Sequence, residues 1–443
     1  MNTKALRQKI LDLAIHGKLV PQDPNDEPAS VLLERIRAEK ERLVKEGKIK
    51  RPKKTKATSD KPHYENVPFE VPSSWGWCKL HDIIQITNGR SQKDVENVNG
   101  KYPIYGSGGI IGKAVEYLCE AGSTIIGRKG TINNPLFVEE RFWNIDTAFG
   151  MKPMYAISDL YFFYFCQYFD FSKLDKSTAV PSLTQSAIGE VFIPIPPINE
   201  QKRITDGISY WFGFIDTLES NLNNLQLTIK QTKSKILDLA IHGQLVPQDP
   251  TDEPASELLK RINPKAEITC DNGHYQKLPE GWTVCCLENV AKVLDNLRKP
   301  INSNERNSRI ANKHENELFP YYGATGQVGF IDDYLVDGTF LLLGEDGAPF
   351  LDKYAIKSYP IKGKCWVNNH AHILEPLCDF DYLMYYLNHV DYKDYVNGST
   401  RLKLTQSDMR SIIILLPPLT EQKRISVKVK YLFRLLDSIA CYL

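Results

Sequence analysis

Apolar residues recur at Ile204, Ile208, Trp211, Ile215, Leu218, Leu222, Leu225, Ile229, Ile236 and Leu239, with Thr232 filling the one gap. The steps alternate between four and three, which places a single apolar seam along a helix. Pro196 and Pro197 stand before this stretch and Gly243 and Pro247 after it, as start and stop signals do. The pattern predicts a helix from about Glu200 to His242, on the order of 60 Å long at about 1.5 Å per residue. A seam needs a partner. Ile425, Val429, Leu432, Leu436 and Ile439 carry the same spacing near the C-terminus, and Leu6, Ile10 and Leu13 carry a shorter version near the N-terminus. An antiparallel coiled coil is expected; the alternative is that these helices pack on neighbouring domains as ordinary amphipathic elements. Elsewhere the helical period fades. FVEERFWNI (137–145) and TFLLLGEDG (339–347) read as strands with turns, and LYFFYFCQYF (160–169) and FDYLMYYLNHV (380–390) as one buried aromatic helix each. Segments 63–195 and 273–415 are therefore expected to be mixed α/β domains with small, twisted sheets.

The same elements occur twice. Residues 9–36 (KILDLAIHGKLVPQDPNDEPASVLLERI) match residues 235–262 at 24 of 28 positions, differing only at Lys18/Gln244, Asn25/Thr251, Val31/Glu257 and Glu34/Lys260. IPPINEQKRI (195–204) likewise matches LPPLTEQKRI (416–425). Landmarks between these anchors keep their order: Pro72 and Trp75 with Pro279 and Trp282, YPIYGSGGIIG (102–112) with FPYYGATGQVG (319–329), IIGRKG (125–130) with LLGEDG (342–347), Trp143 and Thr147 with Trp366 and His370, and Leu183-Thr184-Gln185 with Leu404-Thr405-Gln406. The C-terminal helix corresponds to the start of the central one and the N-terminal helix to its end, so the repeat is circularly permuted. The predicted fold is α+β: two mixed α/β domains separated by a long antiparallel coiled coil, in pseudo-two-fold arrangement. Its divisions are an N-terminal helix and basic linker (1–62), a first domain (63–195), a central helix and linker (196–272), a second domain (273–415) and a C-terminal helix (416–443). Near-identical ends imply that the ends meet something the same on both sides. Diverged middles imply a shared fold facing different targets.

Composition narrows the chemistry. At 443 residues and 42% hydrophobic, the chain has room for about three units of roughly 150 residues. It contains no apolar run of 18 residues and no signal-peptide pattern at its start, which predicts a cytoplasmic protein without membrane contact. The nine cysteines are scattered without a CxxC pair and are expected to be reduced, mostly buried thiols. His370 and His372 would share a strand face, but no third ligand accompanies them, so no metal site is expected. No GxxxxGK[ST] loop occurs. GSGGIIG (106–112) fails the GxGxxG pattern at Ile111, and Asn133-Asn134-Pro135-Leu136 has Asn rather than Pro at the second position and lacks the aromatic of an adenine-methyltransferase motif. No paired-carboxylate nuclease signature stands out. The chain is expected to hold no catalytic residue and no cofactor of its own.

The paired PPxxEQKRI segments, the duplicated KILDLAIHG(K/Q)LVPQDPxDEPAS, the YGxxGxxG loops and the LTQ near each domain's end resemble the specificity subunit of type I restriction–modification systems, over essentially the whole chain. The resemblance implies that each domain is a target-recognition domain reading one half of a bipartite double-stranded DNA site. It implies that the helices set the spacing and dock two methyltransferase subunits, which methylate adenine with S-adenosylmethionine. Restriction and ATP- and Mg-dependent translocation would belong to further subunits. A single-chain modification enzyme would need motifs that are missing, and a bare coiled-coil scaffold would leave the divergent domains unexplained.

Bases are read by polar side chains, mostly in the major groove. The loop candidates are Arg90, Ser91, Gln92, Lys93, Ser107, Arg128, Lys129, Ser177, Thr178 and Thr184 in the first domain. In the second they are Asn296, Arg298, Lys299, Thr325, Ser399, Thr400, Arg401, Lys403 and Thr405. Gly108 and Gly326 are expected to serve backbone geometry. Arg128-Lys129 aligns with Glu345-Asp346, which argues against one shared contact role for that turn. Charge offers little grip: the chain is +1 overall, residues 63–195 hold 11 basic against 14 acidic side chains, and 273–415 hold 15 against 18. A basic run, 37–56, has 10 basic and 3 acidic residues and exists in the first copy only; it suits either phosphate contact or a solvated helix end. Tight DNA binding is therefore expected to need the partner subunits. The target sequence itself is not visible in the chain.

Overall fold

The computed structural model describes residues 2–46, 67–154, 156–175, 181–266, 278–398 and 401–442. The chain divides into two compact units, Met1–Ser220 and Asn221–Leu443. In chain order the first unit contains α1 (Thr3–Ile15), α2 (Ala29–Lys45), β1 (Gly76–Lys79), α3 (Leu80–Ile83), β2 (Ile84–Asn88), β3 (Tyr102–Gly106), β4 (Gly109–Ala114), β5 (Ser123–Gly127), β6 (Leu136–Val138), β7 (Trp143–Asn144), β8 (Ala148–Pro153), α4 (Asp159–Tyr168), α5 (Gln185–Gly189), β9 (Phe192–Ile195) and the first half of α6 (Ile198–Ile241). Strands β1 and β9 pair antiparallel, so the domain's first and last strands close it. Between them lie an antiparallel sheet of order β2-β8-β5-β6 and a three-stranded sheet of order β4-β3-β7, in which β3 and β7 run parallel.

The second unit repeats this plan with the second half of α6, α7 (Ala255–Ile262), β10 (Thr283–Cys286), α8 (Leu287–Val290), β11 (Ala291–Val293), α9 (Ser303–Ile310), β12 (Phe319–Gly323), β13 (Gly326–Ile331), β14 (Val336–Gly344), β15 (Ser358–Val367), β16 (Ala371–Pro376), α10 (Phe380–His389), β17 (Val396–Asn397), β18 (Lys403–Leu404), α11 (Gln406–Arg410), β19 (Ile413–Leu416) and α12 (Leu419–Cys441). Here β10 and β19 close the domain, and the two sheets fuse into one of order β11-β16-β14-β15-β12-β13. The fusion comes from β15, long enough to pair antiparallel with β14 and parallel with β12. In the first unit the run 137–145 is not one strand, as its composition suggests. Val138 ends β6 and Trp143 opens β7, with the charged turn Glu139-Glu140-Arg141 between them, and the sheets stay separate.

The helices are anchored by the domains as much as by one another. In the first unit Ile10, Leu11 and Ile15 of α1 and Ile204, Ile208 and Ile215 of α6 join one buried cluster with Tyr161, Phe162 and Phe165 of α4. Each large apolar side chain buried there contributes roughly 1.5–3 kcal/mol. Arg7 of α1 lies over the Phe212 ring and pairs with Asp216; in the second unit Lys233 lies over Phe433 and pairs with Asp437. Both pairings are antiparallel: Arg7 meets Asp216 and the later Gln22 meets Glu200, as Lys233 meets Asp437 and the later Gln248 meets Glu421. Along the predicted seam Ile204, Ile208, Ile215, Ile229 and Ile236 are buried, while Trp211 is 43% and Leu225 39% exposed, and Leu6 and Ile439 are also exposed. No described helix is long and apolar enough to cross a membrane.

The near-identical segments meet each other. In the first unit Gln22 donates to Glu200 Oε1 at 3.0 Å and Arg203 pairs with Asp26 at 2.5 Å. In the second, Gln248 donates to Glu421 Oε1 at 3.0 Å and Arg424 pairs with Asp252 at 2.6 Å. Gln201 and Gln422, fully buried, accept from the backbone N–H of Ser158 and Asp379, the residues that cap α4 and α10. Thus EQKRI grips QDPxDEP within each unit, and the sameness of the ends has an internal cause. The glycines that end α1 and α6 are required: Gly17 (φ +67°) and Gly243 (φ +68°) each place a Cβ position 2.5 Å from a proline ring, of Pro72 and Pro279.

Asp26→Ala should leave Arg203 unpaired and lower the thermal midpoint by about 3–6 °C. The hydrogen bond from Arg203, working against burial, holds the Asp26 carboxyl below its ordinary 3.8. Its contribution is therefore present above that pH and lost as pH falls through the lower folded value. The variant's acid-unfolding curve should be shallower than wild type; identical curves would mean the clamp contributes nothing.

Candidate nucleic-acid interface

Each domain builds the same loop platform from backbone hydrogen bonds. The indole N–H of Trp143 donates to the Arg90 carbonyl at 3.1 Å, and that of Trp366 to the Lys299 carbonyl at 2.8 Å. The hairpins β3–β4 and β12–β13 turn at Ser107-Gly108 and Ala324-Thr325. The left-handed residue is Gly326 (φ +140°) in the second, as expected, and its aligned counterpart Gly109 (φ +128°) in the first, whereas Gly108 does not take that conformation. Each tip lies on the turn that follows the central strand. A Cβ on Gly127 would sit 3.1 Å from Ser107 Cβ, and one on Gly344 would sit 2.9 Å from the Ala324 carbonyl oxygen.

That turn is held identically in both units. Arg128 and Lys129 N–H donate to the Thr147 carbonyl at 2.7 and 3.3 Å; Glu345 and Asp346 N–H donate to the His370 carbonyl at 2.8 and 3.4 Å. The Leu183 N–H returns to Arg128, and the Leu404 N–H to Glu345. Isolated bridges join Lys129 to Ser182 and Asp346 to Lys403. The backbone is conserved between the halves while the side chains invert in charge.

In the first unit the Arg128 guanidinium lies 5.8 Å from the Phe149 ring centre and Lys129 is exposed. In the second the acidic pair gathers cations. Arg298 pairs with Asp295 at 3.0 Å and with Glu345; Lys403 reaches Glu345 at 3.3 Å; Arg401 reaches Asp346 at 2.6 Å. His372, fully buried, bonds Asp295 at 2.7 Å through Nδ1 and faces the Leu404 carbonyl at 3.0 Å through Nε2. Burial alone would raise both carboxyls, but His372 at Asp295 and Arg298 at Glu345 outweigh it and hold both below the ordinary carboxylate range. Asp295, Glu345 and His372 come close enough together to suggest a metal triad. Arg298 occupies the space between the carboxylates, however, and both His372 ring nitrogens have protein partners, so the cluster is an ion-pair network.

The structure therefore sorts the predicted contact residues. Ser107, Arg128 and Lys129 converge on one platform, and Thr325, Arg401 and Lys403 on the other, beside a shallow depression of about 720 Å³ lined by Ala324, Asp346, Gly347, His370 and Arg401. Arg90 and Lys299 occupy matched places beside the platforms through their tryptophans. Ser91, Gln92 and Lys93 lie on the loop leaving Arg90, where the Gln92 carbonyl closes a turn with Val95 and Glu96. Thr184 and Thr405 cap α5 and α11, so each hydroxyl accepts a helix N–H. Arg298, with a side chain 14% exposed, is committed inward, while its neighbour Asn296 is exposed. Ser177, Thr178, Ser399 and Thr400 lie outside the described residues, as does the basic run beyond Glu46; within it, Arg42 pairs with Glu39 and Lys40 with Asp82. Asp295 and Gln406, which bond each other at 2.9 Å, were not foreseen; a lone Asp after a strand gives no pattern that would mark it.

Comparison with known proteins accounts for the duplication. The model of the type I restriction modification DNA specificity domain matches twice, over residues 72–227 and 279–440. The chain belongs to the type I restriction–modification specificity family. Two similar proteins are the type I restriction enzyme EcoAI and EcoEI specificity subunits of Escherichia coli. The first is 30% identical over 385 residues, covering 66% of this chain and 63% of that one. The second is 28% identical over 377 residues, covering 66% and 62%. The chain thus spans a little under two thirds of these relatives. A chain from a solved structure described as the basis of "complex assembly" and "conformational transition" of the type I R-M system superposes with TM-score 0.54 at 15% identity, over 84% of this chain and 93% of that one, which shows a common fold.

Glu345→Ala should destabilise this specificity-family chain by about 1–3 kcal/mol, because Arg298 loses a carboxylate where little water reaches. Arg128→Ala, at the matching turn position, should stay within about 0.5 kcal/mol. Denaturant unfolding of the two variants gives both values; equal losses would contradict the asymmetry between the platforms.

Proposed function

We propose that this chain is the non-catalytic DNA-recognition subunit of a type I restriction–modification complex. Each domain reads one half of a bipartite double-stranded site, and the helices fix the distance between the halves and dock two methyltransferase subunits. Adenine methylation with S-adenosylmethionine takes place on those partners, and ATP- and Mg-dependent translocation and cleavage on restriction subunits, in the cytoplasm. The observation that carries this reading is the pair of platforms with one hydrogen-bonded backbone and different side chains. Two readers of different half-sites need the same frame with different contacts. The modest charge of each domain supports a second element: the partners close on the duplex and supply much of the phosphate attraction.

The chain co-expressed with a cognate methyltransferase subunit should direct adenine methylation to two short half-sites separated by a fixed gap, as a genome-wide methylation map would show. Exchanging residues 273–415 for those of another family member should change one half and preserve the other and the gap. A single continuous motif, or methylation that persists without this chain, would overturn the proposal. The isolated chain should bind such a site weakly at physiological salt; tight binding alone would remove the need for partner-supplied charge.

A further inference from the structure

We propose that Arg401 is the guanine-reading side chain of the second domain, and that Asp346 is a positioning residue that aims it. This rests on the DNA-reading function proposed above and adds a residue and a base to it. Three cations surround the 344–347 turn, and they are not equivalent. Arg298 is buried between Asp295 and Glu345. Lys403 is a point charge beside Glu345 and cannot present a planar fork. Arg401 keeps a side chain 60% exposed while its Nε lies 2.6 Å from Asp346 Oδ1. The other Asp346 oxygen lies 3.4 Å from His370 Nδ1, without a hydrogen bond between them.

The guanidinium reaches this place by crossing Gly347. A Cβ there would sit 3.1 Å from Arg401 Nε and 3.4 Å from Nη2, and the residue's φ is +76°. Glycine therefore answers two demands at once, the left-handed turn and the passage of the arginine. The Nε edge lies against the Asp346 carboxylate, and no second carboxylate pairs with the terminal amino groups of the fork among the described residues. They border the shallow depression beside the β12–β13 tip. Two parallel N–H donors on a planar group match the O6 and N7 acceptors of guanine in the major groove. Fixing the fork in advance lowers the ordering cost on binding and so sharpens discrimination.

The bridges pair Lys129 with Ser182 and Asp346 with Lys403, and in the sequence the residue two before Ser182 is Val180, where the second copy has Arg401. The first domain instead carries its cations on the turn itself, at Arg128 and Lys129. Arg401 thus marks a place where the two half-sites would be read differently.

The test uses the whole chain with its methyltransferase partner and a genome-wide adenine-methylation map for wild type, Arg401→Lys, Arg401→Ala and Asp346→Asn. The wild-type half-site assigned by exchange of 273–415 should contain a G·C pair at which both Arg401 variants lose discrimination by about 10-fold or more, since lysine keeps the charge but not the fork. Asp346→Asn should relax the same pair to a smaller extent. The other half-site should be unchanged in all three. If the wild type gives a bipartite motif that the Arg401 variants leave intact, or relax at an A·T pair, this assignment is wrong while the broader function stands. If the wild type gives no bipartite motif, both are wrong.

Discussion

A glutamate, a glutamine and an arginine at the head of α6, and their equals at the head of α12, hold each half of the chain closed. Glu200 and Glu421 take a carboxamide from the segment that follows a helix in the same unit. Arg203 and Arg424 take a carboxylate from that segment, and Gln201 and Gln422 seize the cap of the aromatic helix of the adjoining domain. Three structural elements meet at one turn of helix. The glutamates and glutamines are essentially inaccessible to water, so any loosening would strand buried polar groups, which is expensive. The domain cores, the orientation of the helices and the closing strand pairs β1–β9 and β10–β19 all attach to this point.

Much of this was legible in the sequence because it is written twice. The match of 9–36 with 235–262 fixed the repeat, the proline and glycine punctuation bounded α6 to within a few residues, and the aromatic runs at 160 and 380 became α4 and α10. What the repeat could not disclose is the identity of its own partner. Identical segments look the same whether they face a common outside protein or each other, and within each unit they do grip each other. The 4-3 pattern is bounded in a related way. Spacing shows which residues share a helix face but not what covers it, and Trp211 and Leu225 stay part-exposed while Ile215 and Ile229 are buried.

At the platforms, sequence alignment found the right turn and the right sign change but not its meaning. Glu345 and Asp346 argued against one contact role shared with Arg128 and Lys129. In space they organise cations drawn from positions 298, 401 and 403, which are far from them in the chain. Arg298 illustrates the limit most sharply: its type and loop position suit contact with bases, yet two carboxylates draw it inside. Side-chain type predicts chemistry well and orientation poorly, because orientation is set by partners that only the fold brings near.

The clamp also has a consequence for how such a chain can change over generations. Every residue that grips across the two conserved segments has the same identity in both copies: Gln22 and Gln248, Asp26 and Asp252, Glu200 and Glu421, Arg203 and Arg424. A genetic crossover anywhere within these segments, between copies or between related genes, leaves a complete lock behind it. The variable domain between the segments is then inherited as a cassette, free to be replaced wholesale without renegotiating the joints that carry it.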